Sequence, residues 1–355
     1  MRRVTIPSPA LASPGARGAA PETSPVPAAP AAPAAPAFPA AAPRPIPASA
    51  GELEQLLAGA RYLPDAPTAL ALWLALRMDR PLLLEGPAGV GKTDLARAVA
   101  EALGRQLIRL QCYEGLDEAK ALYEWDYAKQ MLYTQLLREA VAREIAGTEG
   151  IAGALDRLAE SGASFFSERF LIPRPLLAAL RSPAPAVLLI DEVDRADPEF
   201  EAFLLEVLSE LQVTIPEIGT IRAAHPPLIL LTTNATREMT EALRRRCLHA
   251  FLDYPSPPRE IAILRLALPE IEPRLAAQVA SFVAGLRAMD LRKPPAVSET
   301  IDWARALLLL GRREIDPAIA EDTLGLLLKH QADKEAAQPK LAQLARAAGQ
   351  ADGAT

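Results

Sequence analysis

The segment from Gly86 to Thr93 reads Gly-Pro-Ala-Gly-Val-Gly-Lys-Thr and matches the pattern G-x-x-x-x-G-K-[ST] at every fixed position. An apolar run from Pro81 to Glu85 precedes it, and the periodicity from Lys92 to Leu103 predicts a helix after it. A strand, a glycine-rich loop and a helix in this order direct backbone N–H groups and the positive end of the helix at one point, which favours phosphate. A glycine-rich turn without function is the alternative, and the flanking strand and helix weigh against it.

We therefore predict that this loop binds the phosphates of ATP. The predicted binding residues are Gly86, Pro87, Ala88, Gly89, Val90, Gly91, Lys92, Thr93 and Asp94. The ammonium group of Lys92 is expected to reach the β- and γ-phosphates, and the hydroxyl of Thr93 is expected to coordinate Mg²⁺.

Two further apolar runs end in polar residues that suit the same chemistry. The run 187–190 is followed by Asp191 and Glu192. We predict that Asp191 holds Mg²⁺ through water and that Glu192 activates the attacking water as general base. The run 228–231 leads to Asn234, whose amide is expected to hydrogen-bond that water. Either strand end alone is an ordinary solvated terminus, so the prediction depends on their combination with the phosphate loop.

Strand and helix patterns alternate after residue 51, and the strand runs are apolar on both faces. This pattern predicts an α/β fold, a three-layer αβα P-loop NTPase domain with a parallel sheet. After residue 258 only helical patterns follow. We expect a disordered Pro/Ala-rich tail over 1–50, a nucleotide-binding domain over 51–256, a small all-helical lid domain over 257–333 and a frayed end over 334–355.

Proline content separates the first 50 residues from the rest. They hold 13 of the 34 prolines and a net charge of +3, which leaves −9 for the remainder. An acidic body weighs against a nucleic-acid partner, because such proteins need a surplus of Lys and Arg.

Two cysteines and three histidines are too few and scattered for a disulfide framework or a zinc site, which favours a cytoplasmic setting. No apolar run reaches the roughly 18 residues that cross a bilayer.

Three arginines precede the last predicted strand, in the sequence Leu243-Arg244-Arg245-Arg246. One of them is expected to reach a nucleotide held by a neighbouring subunit, where a guanidinium stabilises transition-state charge. We choose Arg246 first and Arg245 second. The alternative is a solvated basic helix end that satisfies its own last carbonyl groups.

The order of these features resembles that of AAA+ ATPases. More narrowly, the stretches 188–196 and 205–216 resemble the MoxR family, and its CoxD-like branch most. The resemblance covers roughly residues 82–330. It implies a five-stranded sheet, Mg²⁺-dependent ATP hydrolysis and a homo-oligomeric ring, usually a hexamer, that performs chaperone-like remodelling.

Clients in this family are metal-containing enzymes, which commonly mature alongside a von Willebrand factor A domain protein. The CoxD-like branch is associated with molybdenum hydroxylases such as carbon monoxide dehydrogenase. Nothing in the residues of this chain identifies its client.

Two positions depart from the MoxR pattern. Arg245-Arg246-Cys247 stands where relatives usually carry Asp-Arg-Phe. The lid helix usually opens with an arginine that contacts nucleotide, but here Ser298-Glu299-Thr300 takes that place, and Glu299 is expected to repel phosphate. Either Lys293 or Arg292 substitutes, or the lid senses nucleotide weakly.

Two segments are candidate client-facing surfaces. Five aromatic residues lie between the second and third strands: Tyr113, Tyr123, Trp125, Tyr127 and Tyr133. Such density suits a contact surface, with packing against the sheet as the alternative. The stretch 212–223 alternates apolar and polar residues around a Pro-Glu-Ile-Gly turn, which predicts a β-hairpin of the kind that lines the central pore in this ATPase group.

Two other functions remain open at this stage. The missing lid arginine favours an ATP-gated assembly module with little turnover. A DNA or RNA motor related to clamp loaders or helicases is the third, and the acidic body weighs against it.

Overall fold

The computed structural model describes residues 44–133, 135 and 167–350. Its main sheet contains the strands Leu82–Glu85 (β1), Leu107–Gln111 (β2), Val187–Asp191 (β5), Leu228–Thr233 (β8) and Leu248–Phe251 (β9). These five strands are all parallel and lie in the order β2-β5-β8-β1-β9. The predicted fold class is confirmed, because this is a five-stranded parallel sheet within an αβα domain.

Leucine-rich strands form the centre of the sheet because both of its faces are covered. Successive side chains of a strand point to opposite faces. Leu82 and Leu84 accordingly join one apolar core, and Leu83 joins the other. The first core includes the helices Ala50–Gly59 (α1), Ala66–Met78 (α2) and Lys92–Leu103 (α3). The second includes the helices Glu118–Leu122 (α4), Pro175–Leu180 (α5), Pro198–Glu210 (α6) and Glu241–Arg246 (α7).

Parallel pairing brings the carboxyl ends of the strands to one edge of the sheet. Gln111 lies in register with Asp191 across β2 and β5, and Glu85 lies in register with Thr233 across β1 and β8. The phosphate loop, the acidic strand end and the Thr-Thr-Asn strand end therefore meet at the same edge.

Two antiparallel pairs flank the main sheet. Tyr123–Trp125 (β3) pairs with Leu171–Pro173 (β4), and Gln212–Ile215 (β6) pairs with Gly219–Arg222 (β7). The second pair confirms the predicted hairpin, and its buried Val213 and Ile215 belong to the second core. Residue 134 and residues 136–166, which separate β3 from β4, lie outside the described residues together with 1–43 and 351–355.

The predicted aromatic group divides between packed and exposed rings. Tyr123 and Trp125 meet edge to face at 5.7 Å, and Tyr133 meets Phe170 in the same way at 5.3 Å. Tyr127 is 65% exposed and Tyr113 is 45% exposed. Of the five aromatic residues, Tyr127 and Tyr113 are therefore the exposed ones.

A helical region follows the sheet. Its helices are Pro257–Ala267 (α8), Pro273–Arg287 (α9), Val297–Leu309 (α10), Pro317–Leu327 (α11), Gln331–Ala337 (α12) and Leu341–Gly349 (α13). They enclose a separate apolar core around Phe282 and Trp303, whose rings lie 5.0 Å apart. Among the described residues, no helix is both long and apolar enough to span a membrane.

The expectation of a frayed end over 334–355 is wrong as far as residue 350. Leu341, Ala345 and Ala348 of α13 are buried in the core of the helical region. These residues recur at intervals of about one helical turn, so α13 has an apolar stripe that buries against α9. The stripe consists largely of alanine, which explains why the sequence pattern looked weak.

The predicted boundary of the tail at residue 50 is also corrected. The Arg44 backbone N–H donates to Leu103 O at 2.9 Å, and Trp73 Nε1 donates to Pro47 O at 3.0 Å. The Ser49 side chain caps α1 by accepting from the Glu52 N–H. Residues 44–50 therefore pack on the α/β domain, because their backbone groups and the Ser49 hydroxyl form hydrogen bonds with α1, α2 and α3.

Candidate functional site

The phosphate loop depends on glycine at its first position. Gly86 has φ +154°, and a Cβ atom there would lie 2.0 Å from the carbonyl oxygen of Leu252. The backbone of the loop thus passes too close to the segment after β9 for any side chain. Gly91 at φ 96° then leads directly into α3 at Lys92. The loop and the amino end of α3 form the concave surface that the sequence predicted.

Lys92 is held at the centre of this surface. Its side chain crosses the loop, and Nζ donates to Gly86 O at 2.6 Å, Pro87 O at 2.7 Å and Asn234 Oδ1 at 2.9 Å. Burial lowers the pKa of Lys92, while Asp194, Asp191 and Glu192 oppose that shift. The ammonium group therefore sits among exchangeable acceptors beside the predicted phosphate position, and Asn234 is in direct contact with it.

Asp191 ends β5 and is almost completely buried. Its carboxylate accepts from Thr232 Oγ1 at 2.5 Å and from Thr93 Oγ1 at 3.1 and 3.2 Å. Arg109 Nη2 donates to Asp191 Oδ2 at 2.6 Å. The two residues predicted to hold Mg²⁺, Thr93 and Asp191, are thus brought together.

The donor set of these two residues suits Mg²⁺. This ion prefers oxygen ligands and commonly takes only one or two of them from the protein, with water and substrate phosphates completing the shell. A hydroxyl and a carboxylate side by side, next to a phosphate loop, meet that requirement.

Glu192 directly follows Asp191 and has a left-handed backbone with φ 55°. Thr232 supports this turn, because the Glu192 N–H donates to Thr232 Oγ1 at 2.8 Å. The carboxylate Oε2 accepts from Gln111 Nε2 at 3.0 Å and from Arg195 Nη1 at 3.0 Å. Glu192 is about one-third exposed, so its carboxylate remains open to water.

Asn234 is positioned by a buried carboxylate that the sequence analysis did not single out. Asp194 Oδ2 accepts from the backbone N–H groups of Asn234 and Thr236 and from the Thr236 hydroxyl. Ala235 between them has φ 55°. Burial alone would raise the pKa of Asp194, but these hydrogen bonds outweigh it and hold the pKa below the ordinary value.

A cavity of about 150 Å³ joins these groups. Its lining residues are Ala88, Gly89, Gly91, Lys92, Thr93, Asp94, Asp191, Glu192, Thr232, Asn234 and Ser298. Ser298 comes from the first turn of α10. The helical region approaches closely here, because a Cβ on Gly89 would lie 2.5 Å from the Cβ of Ala296 and 3.1 Å from Ser298 Oγ.

A second cavity of about 250 Å³ adjoins the first and shares Gly91 and Asp94 with it. Its walls come from the loop after α1, from α3 and from α8 and α10. Arg259 of α8 closes one side by donating to Asp65 Oδ2 at 3.1 Å and to Leu63 O at 2.9 Å. The two cavities therefore meet at the amino end of α3.

Glu299, at the start of the lid helix α10, makes its contacts away from the phosphate cavity. Glu299 does not line the phosphate cavity. Its Oε2 accepts from the Ala296 N–H at 2.6 Å, and its Oε1 lies 3.6 Å from Lys293 Nζ. Glu299 therefore caps α10, and the backbone N–H groups of Arg292 and Lys293 both donate to Asp333. Neither Lys293 nor Arg292 lines either of the two cavities.

The predicted arginines stand at the carboxyl end of α7. Arg245 is 76% exposed and paired with Glu241. Arg246 donates to Ser209 Oγ and to Ala242 O. Neither lines the two cavities of this chain.

Sequence reasoning missed Arg109, Gln111, Thr232 and Asp194 as site residues. Arg109 and Gln111 are two apart on β2, so their side chains share one face. Two polar residues at that spacing near the end of a strand were a readable signal, but the position of β2 beside β5 was not. Nothing local marks Asp194, because its partners Asn234 and Thr236 are about 40 residues away.

This chain is similar to one described family of domains and to several known proteins. The family model for the AAA domain (dynein-related subfamily) matches residues 81–247. Chaperone protein ClpB 2 of Thermosynechococcus vestitus is 33% identical over 156 residues, which are 44% of this chain and 14% of that protein. Protein NorQ of Paracoccus denitrificans is 24% identical over 265 residues, which are 73% of this chain and 86% of that protein.

The chain thus spans only 14% of the length of the first curated relatives that it matches. Among solved structures, a mutant of RuvB from Thermotoga maritima aligns over 79% of this chain and 73% of its own, with 18% identity and a TM-score of 0.43. Residues 81–247 form an AAA+ P-loop ATPase domain.

Proposed function

We propose that this chain hydrolyses ATP to ADP and phosphate and uses the reaction to remodel a client protein. The observation that supports this most directly is the convergence of Lys92, Thr93, Asp191, Glu192 and Asn234 around one cavity. They come from the ends of two strands, β5 and β8, and from the first turn of α3, and a merely structural role does not require them to face the same space.

Each residue has a distinct role in the proposed reaction. When ATP binds, the ammonium group of Lys92 leaves the loop carbonyl oxygens and binds phosphate oxygens instead. Asn234 orients the attacking water. Glu192 takes a proton from that water as it attacks the γ-phosphorus. Thr93 and Asp191 are the residues that hold Mg²⁺, which neutralises charge on the phosphates when bound. The donors Gln111 and Arg195 must release the Glu192 carboxylate for this step.

We further propose that the active unit is a homo-oligomeric ring, most simply a hexamer, with an arginine acting on the neighbouring nucleotide. AAA+ proteins typically oligomerise. Arg246 remains the first choice by sequence, whereas Arg245 has the more exposed side chain and only a helix-surface partner. Substituting each in turn by alanine in the assembled protein separates the two, since only the acting arginine should lower turnover without lowering affinity for ATP.

We assign the chain to the MoxR group and propose a metalloenzyme client in the cytoplasm, of the molybdenum hydroxylase or carbon monoxide dehydrogenase type, with a von Willebrand factor A domain protein as co-factor of maturation. The similarity to NorQ across most of that protein supports the group. Similarity to proteins described as chaperones supports remodelling. The acidic body weighs against nucleic acid as the partner.

Glu192→Gln tests the enzyme directly. We expect turnover to fall by about 10²- to 10⁴-fold, the usual contribution of a general base, with ATP affinity retained because the amide keeps the shape of the side chain. Phosphate release and binding of a fluorescent ATP analogue measure the two quantities. The matched control is Glu206→Gln, an exposed position on α6. Magnesium-dependent turnover that survives in Glu192→Gln would contradict the assignment.

The same variant identifies the client. A subunit that binds ATP without hydrolysing it should retain bound proteins, so a tagged Glu192→Gln protein is purified from its source and the captured proteins are identified by mass spectrometry. A metalloenzyme enriched over the Lys92→Ala protein, which should not bind ATP, supports the proposed client. Equal capture by both variants argues against ATP-dependent remodelling.

A second candidate is an assembly module that binds ATP without productive turnover. Ser298-Glu299-Thr300 stands where the lid arginine is expected, and Ser298, which alone of the three lines the phosphate cavity, supplies no charge to the phosphates. Light scattering after size-exclusion chromatography, with and without a non-hydrolysable ATP analogue, distinguishes the two. Nucleotide-dependent assembly with negligible phosphate release favours the module.

A further inference from the structure

Arg109 lies in the site, yet the proposed reaction does not use it. It belongs to β2, an edge strand, and its side chain is 51% exposed, whereas the side chain of Asp191 is 3% exposed. Arg109 Nη2 donates to Asp191 Oδ2 at 2.6 Å and to Gln111 Oε1 at 2.5 Å. The Arg109 guanidinium thus links the carboxylate of Asp191 to the side-chain amide of Gln111.

That amide is also the one that holds Glu192. Gln111 Nε2 donates to Glu192 Oε2 at 3.0 Å. A guanidinium offers only donors and an ionised carboxylate offers only acceptors. Gln111 must therefore turn its oxygen to Arg109 and its nitrogen to Glu192. Arg109 consequently fixes the orientation of the amide that positions Glu192.

Arg109 also uses an oxygen of the carboxylate assigned to Mg²⁺. Two cations that share one carboxylate repel each other, so the guanidinium and the metal ion compete for Asp191. Asp191 cannot move to serve both, because Thr232 and Thr93 hold its buried side chain. The half-exposed Arg109 side chain is the member of this pair that is free to turn away.

We infer that Arg109 is a positioning residue that holds Asp191 and, through Gln111, Glu192 in a resting arrangement until Mg²⁺ with nucleotide displaces it from the carboxylate. This inference rests on the proposed roles of Asp191 and Glu192. In this arrangement, Glu192 becomes ready to act as general base only when Mg²⁺ occupies its position beside Asp191.

The first test measures binding rather than turnover. A fluorescent, non-hydrolysable ATP analogue is titrated with rising Mg²⁺ against wild type and Arg109→Gln. A half-exposed ion pair corresponds to a factor of about 1.5 to 5 in an equilibrium constant, so the Mg²⁺ concentration for half-maximal binding should fall by about that factor in the variant. The matched control is Arg305→Gln in α10, where the arginine is 55% exposed and paired with Asp302. It should match wild type.

Arg109→Lys separates charge from folding defects. Lysine keeps the cation, so its Mg²⁺ requirement should stay close to that of wild type. If Arg109→Gln leaves the Mg²⁺ requirement unchanged, or if Arg109→Lys shifts it as far as Arg109→Gln does, competition for Asp191 is overturned. If Arg109→Gln does not fold, a wild-type-like requirement in Arg109→Lys supports the inference, and a shifted one overturns it.

The second test addresses the connection through Gln111. The Mg²⁺ concentration for half-maximal turnover is compared among wild type, Arg109→Gln, Gln111→Leu and the double variant. If Arg109 acts through Gln111, the shift in the double variant should be smaller than the product of the two single shifts. Multiplicative shifts would show that Arg109 does not act through the amide. A wild type without turnover would instead contradict the proposed function and leave the Mg²⁺ titration as the test of Arg109.

Discussion

At the scale of single residues, the site is organised by two buried carboxylates that each accept several hydrogen bonds. Asp191 is held by two hydroxyl groups and a guanidinium, and Asp194 by two backbone N–H groups and a hydroxyl. A buried charge is tolerated only with such partners. These bonds keep the strand ends in fixed positions relative to Lys92.

Asp194→Asn should therefore destabilise the α/β domain. All three hydrogen bonds to Asp194 end on Oδ2. An amide oxygen in that place accepts them only as a neutral group, and the loss of their charge-assisted part costs about 1–3 kcal/mol. Thermal unfolding followed by circular dichroism measures the change. The control is Asp302→Asn, whose side chain is 67% exposed.

The stability difference between wild type and Asp194→Asn should depend on pH. The pKa of Asp194 is lower in the folded protein than its ordinary value of 3.8. A carboxyl group of this kind contributes stability above its unfolded pKa and loses it as pH falls through the folded pKa. The difference between wild type and Asp194→Asn should thus be largest near neutral pH and shrink below about pH 4. A difference that grows on acidification would contradict the role of the carboxylate.

At the scale of elements, the last helix, α13, packs through a stripe that includes two alanines and that local patterns underestimate. The buried residue at the start of α13, Leu341, is 3% exposed and packs in the core of the helical region. Leu341→Ala should lower the free energy of unfolding by about 2–5 kcal/mol, as for other buried leucines. Differential scanning calorimetry measures this, with the exposed Gln343→Ala on the same helix as control. Equal melting of the two variants would restore the picture of a frayed end.

The joint between the sheet and the helical region depends on a buried ion pair. Arg287 donates to both carboxylate oxygens of Glu260 at 2.8 and 2.9 Å, and its guanidinium lies 4.7 Å from the centre of the Tyr254 ring. Arg287 also donates to Pro295 O just before α10. One guanidinium thus connects α8, α9 and the approach to α10, the helix that brings Ser298 to the phosphate cavity.

At the scale of the whole molecule, the first 50 residues divide at about residue 43. We expect a chain lacking residues 1–43 to keep its ATPase rate, because that segment is rich in proline and alanine and has few residues to bury. A chain lacking residues 1–50 should melt at a lower temperature, since it loses the Ser49 cap of α1, worth about 1 kcal/mol, and the contacts of Arg44 and Pro47. Phosphate release and calorimetry on both truncated chains test this. Identical melting would show that residues 44–50 add nothing.

The fold class and the phosphate loop were predictable because their causes are local. A run such as Leu82–Leu84, apolar on both faces, belongs to a covered parallel strand wherever it occurs. Gly86 to Thr93 specifies its own turn, since glycine alone tolerates that backbone and a helix must follow. The positions of Asp191, Glu192 and Asn234 followed from the rule that parallel strands end at one edge, although their catalytic roles remain proposals.

Only the tertiary structure decided which side chains meet across the chain. Arg109 reaches Asp191 over 82 residues, and Asp194 reaches Thr236 over 42. Such contacts depend on strand order, which places β2 beside β5 and β5 beside β8 and which no local pattern encodes. The packing of α13 against α9 likewise could not be read from its neighbours in sequence. The capping role of Glu299 is local, because Glu299 accepts from the N–H of Ala296 three residues earlier. The sequence by itself determined which chemical groups lie at the sheet edge. The strand order determined which side chains hold those groups in position.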